Sequence, residues 1–337
     1  MNSFGRIFRI HIFGESHGES AGVVVDGCPA GLDLLVEDFL PDLERRKGGT
    51  QKGTTPRQEE DLPIFKSGLF NNKTTGAPIT IIFENKNIRS GDYEKQRAVP
   101  RPGHADFVAH KKFAGYEDYR GSGHFSGRLT VALVAAGVIA KKLLQLEDSK
   151  NSKISIQSTI LEIGGEKDLE KGLQKAIDAK DSIGGIIECR TQGLPIGLGE
   201  PFFDSAESLI GHIVFAIPAV RGVEFGTGFP AAKMFGSQHN DAIEDSSGKT
   251  RTNHAGGIVG GLTNGNELVF RIAIKPTSST PKEQNTLNWE TGNVESFSVK
   301  GRHDLCIALR VPPILEAVTA IVLADLMMME QKIPRVL

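Results

Sequence analysis

Cysteine is scarce in this chain of 337 residues: Cys28, Cys189 and Cys306 stand far apart, with no CxxC pair. Thiols so spaced build neither a zinc cage nor a disulfide framework, so no metal site is expected and a reducing cytoplasm is the simplest compartment. Tryptophan and tyrosine are few, at one and three, which removes the stacking platforms that single-stranded nucleic acids use. A net charge of −2 provides no global basic field, so no nucleic-acid partner is expected. Arg6, Arg9 and His11 break any signal-peptide core in the first 13 residues. The most apolar stretch, Leu129–Ala140, is 12 residues between Arg128 and Lys141, too short to cross a bilayer core of about 30 Å. A soluble protein with no membrane partner is expected.

Glycine is what the chain has in excess, 39 residues against a usual share of about 7%. There is no collagen period. The glycines cluster at Gly14–Gly31, at Gly121 and Gly123, and at Gly256–Gly261, in loops whose backbone N–H groups can face a ligand. Apolar periodicity predicts helices over Ser126–Leu146, Pro312–Glu330, Val36–Arg46 and Asp204–Ala216. Strands are expected at Gly22–Val25, Ile79–Phe83, Ile154–Ser158, Gly185–Cys189 and Leu268–Ile274. Strands and helices do not alternate as a doubly wound parallel sheet requires, so a layered α+β fold is expected. Val23–Leu32 and Ile186–Leu198 both run strand, turn, Pro-x-Gly-Leu. Internal duplication of a unit, with halves about 1–150 and 151–337 of one domain, is one reading; chance similarity in a Gly/Pro-rich chain is the other. Glu147–Lys180 is the most polar segment and reads as peripheral.

Two short runs carry most of the chemistry. Gly14-Glu15-Ser16-His17-Gly18 and Arg101-Pro102-Gly103-His104-Ala105-Asp106 each set one imidazole among small residues. Histidine titrates near neutral pH, which suits proton transfer, and Asp106 is able to orient the second ring. A lone loop histidine is usually only solvated; the repetition, with His303 in Gly-Arg-His-Asp as a third case, is more telling. Arginine is clustered at Arg45, Arg46 and Arg57 with Lys47 and Lys52, then at Arg101, Arg120, Arg128 and Arg302. Its planar fork binds phosphate and carboxylate in bidentate fashion. Residues 45–57 alone would also fit a basic surface loop for RNA. Asn253–Gly257, Gly260-Gly261 and Lys275-Pro276-Thr277-Ser278-Ser279 offer backbone donors, an ammonium and hydroxyls. Neither a P-loop nor a Rossmann fingerprint is present.

Taken together, these runs resemble the chorismate synthase family from about Phe4 to Leu326, with Glu316, Gly199-Glu200-Pro201 and Gly222-Val223-Glu224 as further matches. The resemblance implies a layered β–α–β sandwich around buried helices and a cytoplasmic homotetramer. It implies a lyase of the shikimate pathway of aromatic amino-acid biosynthesis that eliminates phosphate from 5-enolpyruvylshikimate 3-phosphate to give chorismate. The resemblance further implies a requirement for reduced FMN without net redox change; whether NADPH reduces it on the protein is left open. By position, His17, His104 and Asp304 are implied as acid–base groups. FMN contacts fall on His124, Phe125, Ser126, Pro218, Ala219, Gly260, Lys275, Pro276, Thr277, Ser278, Ser279 and Arg302, and nicotinamide contacts on Arg46 and Lys52. Substrate anions are implied at Ser16, Arg46, Arg101 and Arg128, with Ser126 as a further hydroxyl contact. The chain departs from the family where Arg-Ser-Ser-Ala-Arg is usual and His124-Phe125-Ser126-Gly127-Arg128 stands; Pro218 replaces a common asparagine and Lys52 a common arginine. A flavin-responsive or polyanion-binding protein without catalysis is the alternative those departures raise.

Overall fold

The computed structural model describes residues 2–49, 51–57, 59–87, 97–146, 153–299 and 303–337. Up to residue 144 the order is β1 (Ser3–Phe4), β2 (Arg9–Gly14), β3 (Ser20–Asp26), α1 (Leu40–Arg46), β4 (Ile64–Ser67), the short pair β5 (Leu69–Phe70) and β6 (Lys73–Thr74), β7 (Ile79–Glu84), α2 (Asp106–Phe113) and α3 (Thr130–Leu144). There follow β8 (Ser155–Ile163), α4 (Leu169–Ala179), β9 (Gly185–Gln192), α5 (Ala206–Val214), β10 (Val220–Phe225), α6 (Gly236–His239), the hairpin β11 (Ile258–Val259) and β12 (Leu262–Thr263), β13 (Leu268–Ile274), the hairpin β14 (Gln284–Leu287) and β15 (Val294–Phe297), and α7 (Pro312–Met329).

Two antiparallel sheets flank a helical layer. Their strand orders are β1-β2-β3-β7-β4 and β10-β13-β9-β8. Leaving out the two-residue β1, each sheet carries its strands in the chain order first, second, fourth, third. The register puts Val25 opposite both Ile10 and Ile79 in one sheet, and Phe270 opposite Cys189 in the other. Apolar side chains from each sheet therefore meet the helices on one face. α3 packs on the first sheet, α7 on the second, and the two helices pack on each other, giving the layered α+β sandwich.

The two central helices lack a polar face because water reaches almost none of either. Every residue of Thr130–Ala140 is buried, and so is every residue of Pro313–Leu326. They approach closely at Gly137, where a Cβ would lie 2.2 Å from Ala317 Cβ. α7 is 18 residues long with mean hydropathy 1.6, long and apolar enough by composition to cross a membrane, but 83% of it is buried inside the protein. It is a core helix, as the apolar run predicted over Pro312–Glu330 implies. The few charges in the helical layer are paired: Glu316 meets Arg45 at 2.7 Å and Lys141 at 2.9 Å. Asp325 accepts the backbone N–H groups of Arg6, Ile7 and Phe8 at 2.7–2.8 Å, tying the N-terminal segment to α7.

Two expected boundaries shift for local reasons. The helix predicted from Ser126 begins at Thr130, because Ser126 instead caps a 3-10 turn over Gly127–Leu129. The helix predicted over Val36–Arg46 is split into a 3-10 turn, Val36–Asp38, and α1, which opens on Leu40-Pro41. Of the segment expected to be peripheral, residues 147–152 lie outside the described residues. The rest supplies the edge strand β8 and the amphipathic α4, docked so closely that a Cβ on Gly172 would lie 2.2 Å from Ile163 O.

Candidate active site

A cavity of about 650 Å³ opens where the N-terminal ends of α3 and α7 converge. Thr130 and Leu133 line it from α3, Val311 and Ile314 from the start of α7. Two long helices thus direct their positive ends toward one space, which favours an anion there.

The side chains around it continue that bias. Arg46, Lys47, Arg57, Arg101, Arg128, Lys275 and Arg310 line the cavity, against Glu59, Asp61 and Asp304. Arg46, Lys47 and Arg57 of the 45–57 run therefore face the cavity, while Arg45 and Lys52 do not line it. Each carboxylate is engaged. Asp61, with no side-chain exposure, lies 2.5 Å from Arg46 and is also paired with Arg128. Burial opposes its ionisation, but the two guanidinium groups outweigh burial and hold its carboxyl below the usual range. Glu59 pairs with Arg57 at 2.8 Å. Asp304 accepts Thr55 N–H at 2.9 Å and Arg310 Nη1 at 3.0 Å. Arg46 Nε is buried with no hydrogen-bond partner among the described residues, as is Thr277 Oγ1. Such groups are costly unless a ligand satisfies them.

The Gly-Glu-Ser-His-Gly run is the turn between β2 and β3, and it brings Ser16 into the cavity. Ser16 Oγ accepts from Arg57 Nη1 at 3.0 Å. His17, implied as an acid–base group, does not line the cavity and is only 6% exposed. Its imidazole lies against Gly121, where a Cβ would be 2.4 Å from Cδ2. Burial, then Arg57 and Arg120, lower its pKa, so it is neutral at neutral pH. His104 lines the cavity. Burial lowers its pKa too; Asp106, at 2.6 Å from Nδ1, opposes that shift.

Other expected residues assemble around this pair. Ser126, Phe125, Pro218, Ala219 and Lys275–Ser279 all line the cavity. Lys275 Nζ donates to Gly103 O at 2.9 Å and Ser278 Oγ at 2.7 Å, joining this segment to the His104 loop. Phe125 is 44% exposed and leans on Phe113. His124 lines the wall, but both ring nitrogens are engaged, with Gly14 O at 2.8 Å and Asn2 Oδ1 at 3.2 Å. Arg101, expected on substrate, has a protein partner at every guanidinium nitrogen: Asp106, Ser279, Ser122 and His104.

Besides His17, two expected residues are not at the cavity. Lys52 is exposed and donates to Gln174 at 3.3 Å, and Gly260 sits in the exposed turn between β11 and β12. Arg302 lies outside the described residues. Sequence reasoning passed over Asp61 and Arg310. Asp61 follows Glu59-Glu60 and reads as a solvated acidic run; only the fold gives it two arginines. Arg310 had a usable signal, a lone charge in Ile-Ala-Leu-Arg-Val-Pro-Pro just before a buried helix.

A family model described as chorismate synthase matches residues 8–328. A chorismate synthase of Chitinophaga pinensis is 69% identical over the whole chain and 99% of its own length. One from Dehalococcoides mccartyi is 44% identical over the same shares of the two chains. A solved structure of a chorismate synthase superposes with a TM-score of 0.72 at 27% identity, over 97% of this chain and 93% of that one.

Proposed function

The chain belongs to the chorismate synthase family, lyases of aromatic biosynthesis, and on that premise we propose that it converts 5-enolpyruvylshikimate 3-phosphate to chorismate with reduced FMN. One observation carries the reading: a cationic cavity that has apolar walls and a neutral imidazole facing into it. The substrate bears a phosphate and two carboxylates, which accounts for so many inward guanidinium groups in a chain of near-neutral charge. Arg46 and Arg128, with Arg57 beside Ser16, are the anion-holding groups of this reading.

The donor set also fits a flavin mononucleotide. Ile217, Pro218, Ala219 and Pro276 supply flat apolar contacts, and Lys275 with Thr277–Ser279 supplies an ammonium and hydroxyls for a phosphate tail. Bound reduced FMN would supply an electron-rich ring system that offsets positive charge developing as phosphate departs. Phe125 and Ser126 would border it, whereas His124 is committed to β2 and the N-terminal segment.

The reaction breaks the ring carbon–oxygen bond to phosphate and removes a ring hydrogen in a 1,4-anti sense. His104 rests neutral; an arriving phosphate dianion raises its proton affinity, so that Nε2 takes up a proton and gives it to the departing phosphate. Asp304, held between Thr55 N–H and Arg310, is the group assigned to relay the ring proton. His17, packed against Gly121 outside the cavity, is given no step. A non-catalytic binding role is disfavoured by the presence of His104, Asp304, Arg46 and Arg128 at one cavity.

Thermal unfolding tests the binding half of this reading. FMN and the substrate should each raise Tm, and together raise it further, since a ligand at a hundred times its Kd adds about 2.7 kcal/mol. No shift with the phosphorylated substrate contradicts it. NADPH mixed with oxidised FMN and the protein tests self-reduction; Lys52, turned to Gln174, lends that arm no support. The homotetramer is supported by Phe202, Phe203, Phe229 and Phe235, all highly exposed. A reducing cytoplasm is supported by three buried, free cysteines, whose burial raises Cys28 to about 12 and Cys189 and Cys306 to about 11.

A further inference from the structure

Resting on that reading of His104, we propose that Asp106 is a positioning residue that fixes the tautomer of His104, with the proton on Nδ1 and a bare Nε2 facing the cavity. The carboxylate cannot turn away. Arg101, itself buried, grips it through Nε and Nη2, each at 2.7 Å, and through its backbone N–H at 3.1 Å. Gripped by a guanidinium, the Asp106 carboxylate is ionised and can only accept. Two groups compete for His104 Nδ1: Arg101 Nη2, a donor only, at 3.1 Å, and Asp106 Oδ1, an acceptor only, at 2.6 Å. Arg101 Nη2 already has Asp106 and Ser122 as acceptors, whereas a bare Nδ1 would set its lone pair against the closer carboxylate oxygen, so the ring donates to Asp106. Nε2 has no hydrogen-bond partner among the described residues, which leaves it to the ligand.

The grip is held in turn by a strained loop. Gly121, Ser122 and Gly123 all have positive φ, at 56°, 72° and 51°. Glycine adopts this conformation freely; serine does so at a cost, and such outliers concentrate at functional sites. Here the Ser122 hydroxyl accepts from Arg101 Nη2 at 2.9 Å. Ser279 accepts from Nη1 at 3.0 Å on the other side. The same loop presses Gly121 on the His17 ring and receives Ser16 N–H at Gly123 O, at 3.0 Å. One loop thus sets both histidine runs relative to each other.

The test is nitrogen NMR of the full chain, labelled with ¹⁵N-histidine and free of ligand, with the His104 signals identified by their loss in His104→Gln. At neutral pH the wild type should show a protonated Nδ1 and an unprotonated Nε2. Asp106→Asn should abolish that preference and lower kcat about 100-fold, the scale of general acid–base catalysis, with KM little changed. It should also move the alkaline limb of the kcat/KM profile, where His104 loses the proton it must donate, to lower pH. The charged groups around the ring are Asp106 and Arg101 from its own segment and Lys275 from the segment after β13, and Asp106 alone raises the ring's pKa. Asp106→Glu should recover part of the loss. A proton on Nε2 in the wild type overturns the proposal, as does an Asn variant with unchanged tautomer and pH profile. Should Asp106→Asn fail to fold, the wild-type tautomer alone decides. The tautomer is read without substrate, so absence of chorismate formation would sink the functional reading and leave this one standing.

Discussion

His104 and His17 are both neutral at neutral pH for the same first reason, burial, yet only His104 reaches the cavity. His104→Ala should therefore lower kcat about 100-fold or more, with the circular dichroism spectrum unchanged; wild-type turnover would remove it from proton transfer. Because His104 must carry a proton to the phosphate, kcat/KM should fall on the alkaline side of its pKa, and that limb should lie below the ordinary histidine value of about 6.5. Arg128 is a different case, because it holds Asp61 as well as facing the cavity. Arg128→Ala should raise KM about 10- to 150-fold, the loss of one charge-assisted bond. It should also destabilise the fold by about 3–5 kcal/mol, since Asp61 is left buried with one partner. Asp61→Asn added to it should restore stability in a urea titration but not KM; recovery of both would show that the arginine acts only through Asp61. Ser16, His104 and the lysine–hydroxyl run, which line the cavity, were legible in sequence because each sits in a short motif; the burial of His17 beside Gly121 was not. Asp61 was not, since its meaning comes from Arg46 and Arg128, distant in sequence.

The two central helices show what an element-scale contact costs. Gly137 on α3 has no room for a methyl group beside Ala317 on α7. Gly137→Ala should destabilise by about 1–3 kcal/mol through overpacking, although alanine is the better helix former. A stability equal to or above the wild type in urea titration would show that the helices can separate freely. Elements with a dense apolar pattern were read well: β13 has the expected bounds, and α7 ends within a residue of them. Errors gathered at ends, where Ser126 caps a turn rather than the helix and Pro41 opens α1 afresh. Pairing of strands was not legible, because β3 and β7 meet across more than fifty residues.

At the scale of the whole molecule, the shared strand order of the two sheets and the pairing of α3 with α7 fit the duplication that two Pro-x-Gly-Leu runs hinted at, which we propose as the origin of the fold. The same central layer sets the acid sensitivity. For Glu316, burial opposes ionisation, but Arg45 and Lys141 prevail and lower its pKa, as Arg46 and Arg128 do for Asp61. A carboxylate with a lowered folded pKa contributes stability above its unfolded value of about 4, and loses it as pH falls through the folded value. Stability should thus drop steeply on acidification below pH 4. Glu316→Gln should be less stable at pH 7 and have a flatter acid slope in urea titrations; an unchanged slope would place the sensitivity elsewhere.

The most direct measurement of the central claim is anaerobic. Purified protein, reduced FMN and 5-enolpyruvylshikimate 3-phosphate are combined, and chorismate is followed by its ultraviolet absorbance with phosphate release in parallel. Equal amounts of chorismate and phosphate, formed with reduced FMN and absent when the flavin is omitted or kept oxidised, are the result predicted. Tight binding of substrate and flavin without product would contradict it.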